Sequence, residues 1–347
     1  MSSEIPTQKQ LSMFKKIKEN LVVFLLFVFP IHVIYIYIKN FLYDNKYINP
    51  VIIQSKIISV GNISLGGTGK TPFTISISNF LKKKGFAVGV ITRGHGRNNI
   101  KNSFFLNDEG WRDSGDEAII FKNNLDTSIP IYVSADKVMA AKKLSEVGCD
   151  VIIVDDGFQH RKLHRDINIC LVDPDNQQGK FLSIFPYGKL REPINSLKRS
   201  DIVVSTKSNL SNSASNLRED FSLDLNFKNE ILCTDSNKTI NDVMHMKNIL
   251  SICAIGDPNS YKKSLGLINV EVKYFLDFPD HHSFTKKDVE SINKIINNQG
   301  IDNIICTEKD YIKLEEFGNL VHVPIHAIVL EHNLGSQLEN EILGRLN

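Results

Sequence analysis

Two kinds of apolar pattern divide the chain. Near the N-terminus, LVVFLLFVFPIHVIYIYI (residues 21–38) runs for eighteen residues without a formal charge. A helix of that length rises about 27 Å, close to the hydrocarbon thickness of a bilayer. Pro30 would kink such a helix near its middle. The apolar core is too long for a secretory signal, and no small-residue cleavage site follows it. MFKKIKEN before the run, with Lys39 and Lys46 near its end, flanks it with positive charge that favours anionic lipid. Its tyrosines and phenylalanines crowd as they do at a membrane interface. The pattern predicts a membrane anchor over residues 1–45, spanning the bilayer or lying in one leaflet.

Beyond residue 45 the apolar runs shorten. KIISV (56–60), AVGVIT (87–92), IYVS (131–134), VIIVDD (151–156), INICLVD (167–173) and DIVVST (201–206) read as strands. TPFTISISNFLKKKG and SADKVMAAKKLSEVG read as helices between them. Continuous β-branched runs alternating with helices predict a parallel sheet covered on both faces. SNLSNSASNL (208–217) is polar and weakly patterned, and reads as a boundary. A smaller α/β set follows: ILSICAIG (249–256), VEVKYFL (270–276), a helix at 285–298, NIICTE (303–308) and VHVPIHAIVL (321–330). The expected division is an anchor (1–45), an α/β core (46–207) and a smaller C-terminal α/β domain with its linker (208–347).

Composition changes this picture little. Hydrophobic residues make up 42% of the 347 and charged residues 23%, a globular balance. The net charge of +2 implies no polyanionic partner such as nucleic acid. The cysteines at 149, 170, 233, 253 and 306 form no C-x-x-C, which fits a reducing compartment and buried thiols.

The chemistry is carried by SLGGTGKTP (64–72), between the first strand and a helix. It matches the phosphate loop G-x-x-x-x-G-K-[ST], except that Ser64 stands where the first glycine would be. Gly66 and Gly67 give the backbone freedom to point N–H groups inward. Lys70 would meet the β- and γ-phosphates, and the Thr71 hydroxyl would ligate Mg²⁺. The helix dipole favours an anion there. Ser64, Leu65, Gly66, Gly67, Thr68, Gly69, Lys70 and Thr71 are thus the expected nucleotide cradle of a P-loop fold. VIIVDDGFQH (151–160) supplies the acids such a site needs for Mg²⁺, Asp155 and Asp156 at a strand end. If both stay extended they point to opposite faces. The missing G-x-G-x-x-G after the first strand argues against a dinucleotide-binding protein. A membrane-tethered P-loop NTPase that drives a partner protein is one reading of these motifs.

GNISLGGTGKTP (61–72), RGHG (93–96), GDE (115–117), DDGFQHRKLHRD (155–166), PYGKLREP (186–193), DHHSF (280–284) and TEKD (307–310) occur in this order. Together they resemble the tetraacyldisaccharide 4'-kinases, the lipid A 4'-kinases of Gram-negative bacteria, over roughly residues 15–330. The resemblance implies transfer of phosphate from ATP, with Mg²⁺, to the 4'-hydroxyl of an acylated glucosamine disaccharide 1-phosphate. It implies a cytoplasmic-face location at the inner membrane and a cleft between two lobes joined by a strand linker. It assigns Asp116 as the base, paired with His281. Glu117 would assist at the metal or hold Asp116. Arg191 and Glu192 would be a charged pair near the phosphates, Arg191 stabilising the transferring group and Glu192 joining the acids at the metal. Gln159 and His160 are candidates for contact with the disaccharide. His95 stands where the family usually has tyrosine, and Lys137 where arginine is expected. TEKD is not a base-reading N/T-K-x-D motif, because Glu308 occupies the lysine position; it reads as a helix cap.

Overall fold

The structure, a computed structural model, describes residues 31–174, 184–185, 188–211, 217–235 and 238–346. The first 30 residues, and with them most of the apolar run, lie outside the described residues. Its end forms helix α1 over 31–44. No described helix is long and apolar enough to cross a membrane.

The first sheet has the order β3-β4-β2-β5-β1-β6-β7-β8. Its strands are β1 (Lys56–Asn62), β2 (Val88–Thr92), β3 (Phe104–Phe105), β4 (Ile131–Val133), β5 (Val151–Val154), β6 (Ile167–Val172), β7 (Ile202–Thr206) and β8 (Phe221–Leu223). All pairings are parallel except β3 with β4. The helices between these strands are α2 (Lys70–Lys83), α3 (Trp111–Ser114), α4 (Asp116–Asn124) and α5 (Lys137–Glu146). β1 lies between β5 and β6, with Ser59 level with Val154. The phosphate loop after β1 and the acids after β5 therefore leave adjacent strands at the carboxyl edge, where open α/β sheets bind ligands.

Two short strands lead to the second lobe and back. β9 (Asn226–Phe227) pairs antiparallel with β16 (Leu330–Glu331). Between them lie β10 (Glu230–Cys233), β11 (Lys238–Thr239), β12 (Ile249–Cys253), β13 (Val272–Asp277), β14 (Asn303–Thr307) and β15 (Ile325–Ile328), in the order β11-β10-β15-β14-β12-β13. α6 (Ile240–Met244), α7 (Pro258–Leu267), α8 (Lys286–Gln299) and α9 (Glu308–Leu314) complete the lobe. A reciprocal Thr285–Asp288 capping box starts α8, and left-handed Gly300 ends it, as the polar start and glycine stop in the sequence require.

The final helix, α10 (Gly335–Leu346), returns to the first lobe. Its Leu338, Ile342 and Leu346 repeat every four residues and share a core with Phe73, Ile77 and Leu81 of α2. Parallel pairing of β8 with β7 likewise puts residues 221–223 in the first sheet. The chain crosses between the lobes at the β9–β16 pair, after β8.

Because Ile342 is fully buried in the first core, Ile342→Ala should cost about 2–5 kcal/mol of stability, as other large-to-small core changes do. A denaturant midpoint unchanged from wild type would place α10 outside that core.

Candidate active site

The phosphate loop is shaped from both sides. Gly69 adopts φ 75°, the left-handed conformation a loop needs before it enters α2. A methyl group there would come within 2.7 Å of the His332 ring, which the connection after β16 inserts beneath the loop. Above Gly66 and Gly67 an added methyl meets nothing within 4 Å, so the loop's concave face is open to phosphate. Ser64 is buried and bridges Leu190. Leu65 N–H donates to the Lys189 carbonyl at 2.6 Å, and Arg191 N–H to that of Ile63 at 2.7 Å. The loop's start is thus held by backbone pairing with KLRE, which explains why a side chain is tolerated in the first glycine position. Thr68 receives the Asn62 amide at 2.9 Å, and its carbonyl accepts from Thr206 Oγ1 at 3.0 Å.

The acids after β5 differ in role. The strand ends at Val154, and Asp156 takes a left-handed φ of 47°. The two carboxylates do not alternate as extended residues would, because the chain turns between them. Asp156 receives both its oxygens' bonds from Arg191 Nη1, at 2.9 and 3.0 Å, and lies 3.6 Å from Lys70 Nζ. Burial opposes its ionisation, but Lys70, Arg191 and Lys137 outweigh burial and hold the carboxyl well below the usual range. Asp155 is different. Burial first, and then the charges of Glu117 and Asp156, push it up to about 7. Lys137, in the place where arginine is expected, donates to the carbonyls of Asp155 and Asp156 and so fixes the turn.

The second carboxylate pair comes from the GDE turn. At Gly115, φ is 92°, and a methyl there would lie 2.6 Å from the His95 carbonyl oxygen. This close approach of two glycine turns, RGHG and GDE, sets His95 beside Asp116. The second lobe then closes on both. Asp116 Oδ2 lies 3.0 Å from His281 Nδ1 and 2.9 Å from Lys313 Nζ, and Oδ1 accepts from the Glu117 N–H. Burial would raise Asp116, but the His281 bond and the charges of Lys309 and Lys313 hold it well below the usual carboxylate range. Glu117 accepts from Lys309 at 2.7 Å. Its burial is likewise outweighed, chiefly by Lys309, so its carboxyl is lowered. The His281 backbone is left-handed, at φ 58°, and its ring lies 4.3 Å from that of His95. Gly256, beyond β12, comes close enough to the phosphate loop that a methyl on it would lie 3.4 Å from Gly66 Cα.

Most of the expected residues therefore converge. Lys70, Asp155, Asp156, Arg191, Glu117, Asp116 and His281 form one charged cleft between the lobes, and Thr71 is buried in the first turn of α2 behind it. Glu192 is the correction. Its carboxylate is buried against Arg199 at 2.7 Å and accepts the Asn40 amide at 3.1 Å. It fastens α1 to the core instead of joining the acids, and Arg191 pairs with Asp156 rather than with Glu192. TEKD caps α9 as expected, Thr307 accepting from the Asp310 N–H. It also does more: Lys309 and Lys313, neither singled out in the sequence, are the cations that meet Glu117 and Asp116. Their i, i+4 spacing on one helix face was the available signal. His332 carries no motif and was invisible at that level.

A parallel sheet with a glycine-rich loop and Lys70 entering α2, faced by paired acids and an interlobe Asp–His pair, is the arrangement of a phosphotransferase with a P-loop-like site. A sequence profile of the tetraacyldisaccharide-1-P 4'-kinases, LpxK, matches residues 22–347. The chain belongs to this family, the ATP-dependent 4'-kinases of lipid A biosynthesis. It is 31% identical to the tetraacyldisaccharide 4'-kinase of Syntrophus aciditrophicus (strain SB) over 302 residues, 80% of each chain. It is 31% identical to that of Aquifex aeolicus (strain VF5) over 296 residues, 81% of this chain and 86% of the relative. A crystal structure of the "apo" form of LpxK from Aquifex aeolicus in complex with ATP superposes with a TM-score of 0.73 at 26% identity. It covers 94% of this chain and 100% of that one.

The raised pKa of Asp155 has a signed consequence. A carboxyl raised on folding contributes stability that is present below its unfolded value near 3.8 and is lost as pH rises through about 7. Asp155→Asn should therefore melt higher than wild type at pH 8 in metal-free solution, the gap closing toward pH 4. Thermal melts across that range check this; a gap that does not change with pH would contradict it.

Proposed function

We propose that the cleft transfers the γ-phosphoryl group of ATP to the 4'-hydroxyl of an acylated disaccharide 1-phosphate held at the cytoplasmic face of the inner membrane. The observation that carries the reading is the Asp116–His281 pair, contributed by both lobes, opening onto the same cleft as Lys70. The backbone N–H groups of Gly66, Gly67, Gly69, Lys70 and Thr71 cradle the phosphates, and Lys70 and Arg191 neutralise charge on the transferring group. Asp156, paired with both cations, keeps them in place until phosphate oxygens compete for them.

The donor set fits Mg²⁺. Thr71, Asp155, Asp156 and Glu117 offer oxygen only, and Asp155, pushed up to about 7 by burial first and then by the charges of Glu117 and Asp156, is a carboxylate that a bound cation would keep ionised. Bound there, Mg²⁺ would neutralise charge on the β- and γ-phosphates. Glu117 is held by Lys309, which leaves Asp155 and Thr71 as the groups nearest to that role.

The acceptor proton enters the pair through its exposed member. His281 keeps 20% of its side chain accessible, and Asp116 only 2%. Asp116 faces the ring at Nδ1, which leaves Nε2 for the hydroxyl, and its charge stabilises the imidazolium that forms. Asp116 remains the carboxylate that makes the site basic, acting through the ring it orients. Lys313 and Lys309 keep the acids ionised throughout.

The membrane reading rests on α1. Ile31, Ile34, Tyr35, Ile38 and Phe41 are exposed along one stripe with helical spacing. The helix is clamped beside the cleft by Lys39 to the Gln159 carbonyl, Asn40 to Glu192 and Arg161 to Asp44. An acylated substrate stays in the bilayer because each buried methylene is worth roughly 0.8 kcal/mol. A helix lying in the interface beside the cleft brings the site to the sugar.

Two measurements follow. With purified protein, labelled ATP and the disaccharide acceptor, Asp116→Asn and His281→Ala should each lower turnover about 10²–10⁴-fold with little change in the KM for ATP. Wild-type turnover in either variant removes that residue from the proton path, and ATP consumption independent of acceptor would favour the NTPase reading. In vesicle flotation, Ile34→Glu with Ile38→Glu should weaken binding to anionic liposomes; undiminished flotation of the double variant removes the stripe from the membrane contact.

A further inference from the structure

A second chemical cluster lies in the smaller lobe, away from the residues assigned to phosphoryl transfer. Cys233 on β10 and His326 on β15 are directly opposed across an antiparallel pair. Their Sγ and Nδ1 atoms are 3.3 Å apart. Asp235 follows two residues later, and one ligand atom from each of the three lies within 4.8 Å of the others. Cys233 and Asp235 border a surface hollow of about 420 Å³, also lined by Glu315 and His322. We propose that Cys233, His326 and Asp235 form a binding site for a thiophilic divalent transition metal, with Zn²⁺ the best fit.

Three features carry this. The donor set is one sulfur, one imidazole nitrogen and one carboxylate oxygen, which suits tetrahedral Zn²⁺ rather than Mg²⁺ or Ca²⁺. Tetrahedral bonds of about 2.3 Å to sulfur and 2.0 Å to nitrogen put those two ligand atoms about 3.5 Å apart. The observed 3.3 Å therefore needs little adjustment. The imidazole is also preset. Its Nε2 lies 3.1 Å from Asn303 Oδ1, which can only accept, so the ring proton sits there and the Nδ1 lone pair faces Cys233. Such an outer partner is the usual orienting group for a metal-binding histidine.

The remaining cysteines do not offer this. Cys149, Cys170, Cys253 and Cys306 are buried, whereas Cys233 is half-buried at the hollow's edge. Binding releases the Cys233 thiol proton to solvent and forms the metal–thiolate bond, while the fourth position opens to water in the hollow. One group opposes it: Lys238 pairs with Asp235 at 3.0 Å and must share that carboxylate with the metal. The site ties β10 to β15 at the sheet edge that carries β11, so its effect is on the lobe's stability rather than on phosphoryl transfer.

The test is Co²⁺ titration of the purified full-length protein under reducing conditions. Wild type should take up one Co²⁺ with a sulfur-to-cobalt charge-transfer band, which the all-oxygen acids of the kinase cleft cannot produce. Cys233→Ser should lose that band while kinase turnover stays unchanged. Asp235→Asn should weaken Co²⁺ binding at least tenfold, and Lys238→Met should tighten it. Excess Zn²⁺ should displace the band. No band in wild type, or an equal band in Cys233→Ser, would reduce the cluster to a cross-strand thiol–imidazole hydrogen bond and overturn the proposal.

Discussion

Asp116 is the point on which the two lobes depend. Its carboxylate belongs to the first lobe, and the His281 and Lys313 groups that meet it belong to the second. All three are largely withdrawn from water, so losing any one of them with the lobes together would leave a buried charge unpaired. Removing one partner of such a pair costs far more than the pair contributes against an apolar substitute. The contact is therefore a device for specific closure more than a source of stability. It ties the geometry of the Asp116–His281 pair to the arrangement of the lobes.

The rest of the cleft follows the same logic of fixed charge. Lys70 and Arg191 are held on Asp156, and Lys309 on Glu117, so the cations stand ready and the acids stay ionised. Asp155 alone among these acids is raised, because burial and the charges of Glu117 and Asp156 outweigh Lys70 and Lys137 there. The β9–β16 crossing returns the chain to the first lobe and places His332 under Gly69. The connection between lobes is thus also the floor of the phosphate loop, and α10 seals it into the same core as α2.

Much of this architecture was legible in the sequence. The β-branched runs located the central strands, because buried parallel strands need no polar alternation. The glycine-lysine-threonine ending placed the loop, because backbone N–H groups and a helix start are what phosphate requires. What escaped were groups whose role depends on the other lobe. Lys309 and Lys313 look like ordinary charges on a short helix until α9 is packed against α4. His332 carries no local pattern, and β8 and α10 follow a polar stretch that imitates a domain boundary. Glu192 was misjudged for a related reason: beside Arg191 in sequence, it pairs with Arg199 and Asn40 because α1 folds back over it.

The central claim is that Asp116 and His281 act as one unit across the closed cleft, and a double-mutant cycle in kcat measures this directly. Turnover with ATP and the disaccharide acceptor would be compared for wild type, Asp116→Asn, His281→Ala and the double variant. Groups acting as a unit give a double variant little worse than the worse single one. Losses that multiply would mean the two residues contribute independently, and would contradict the account.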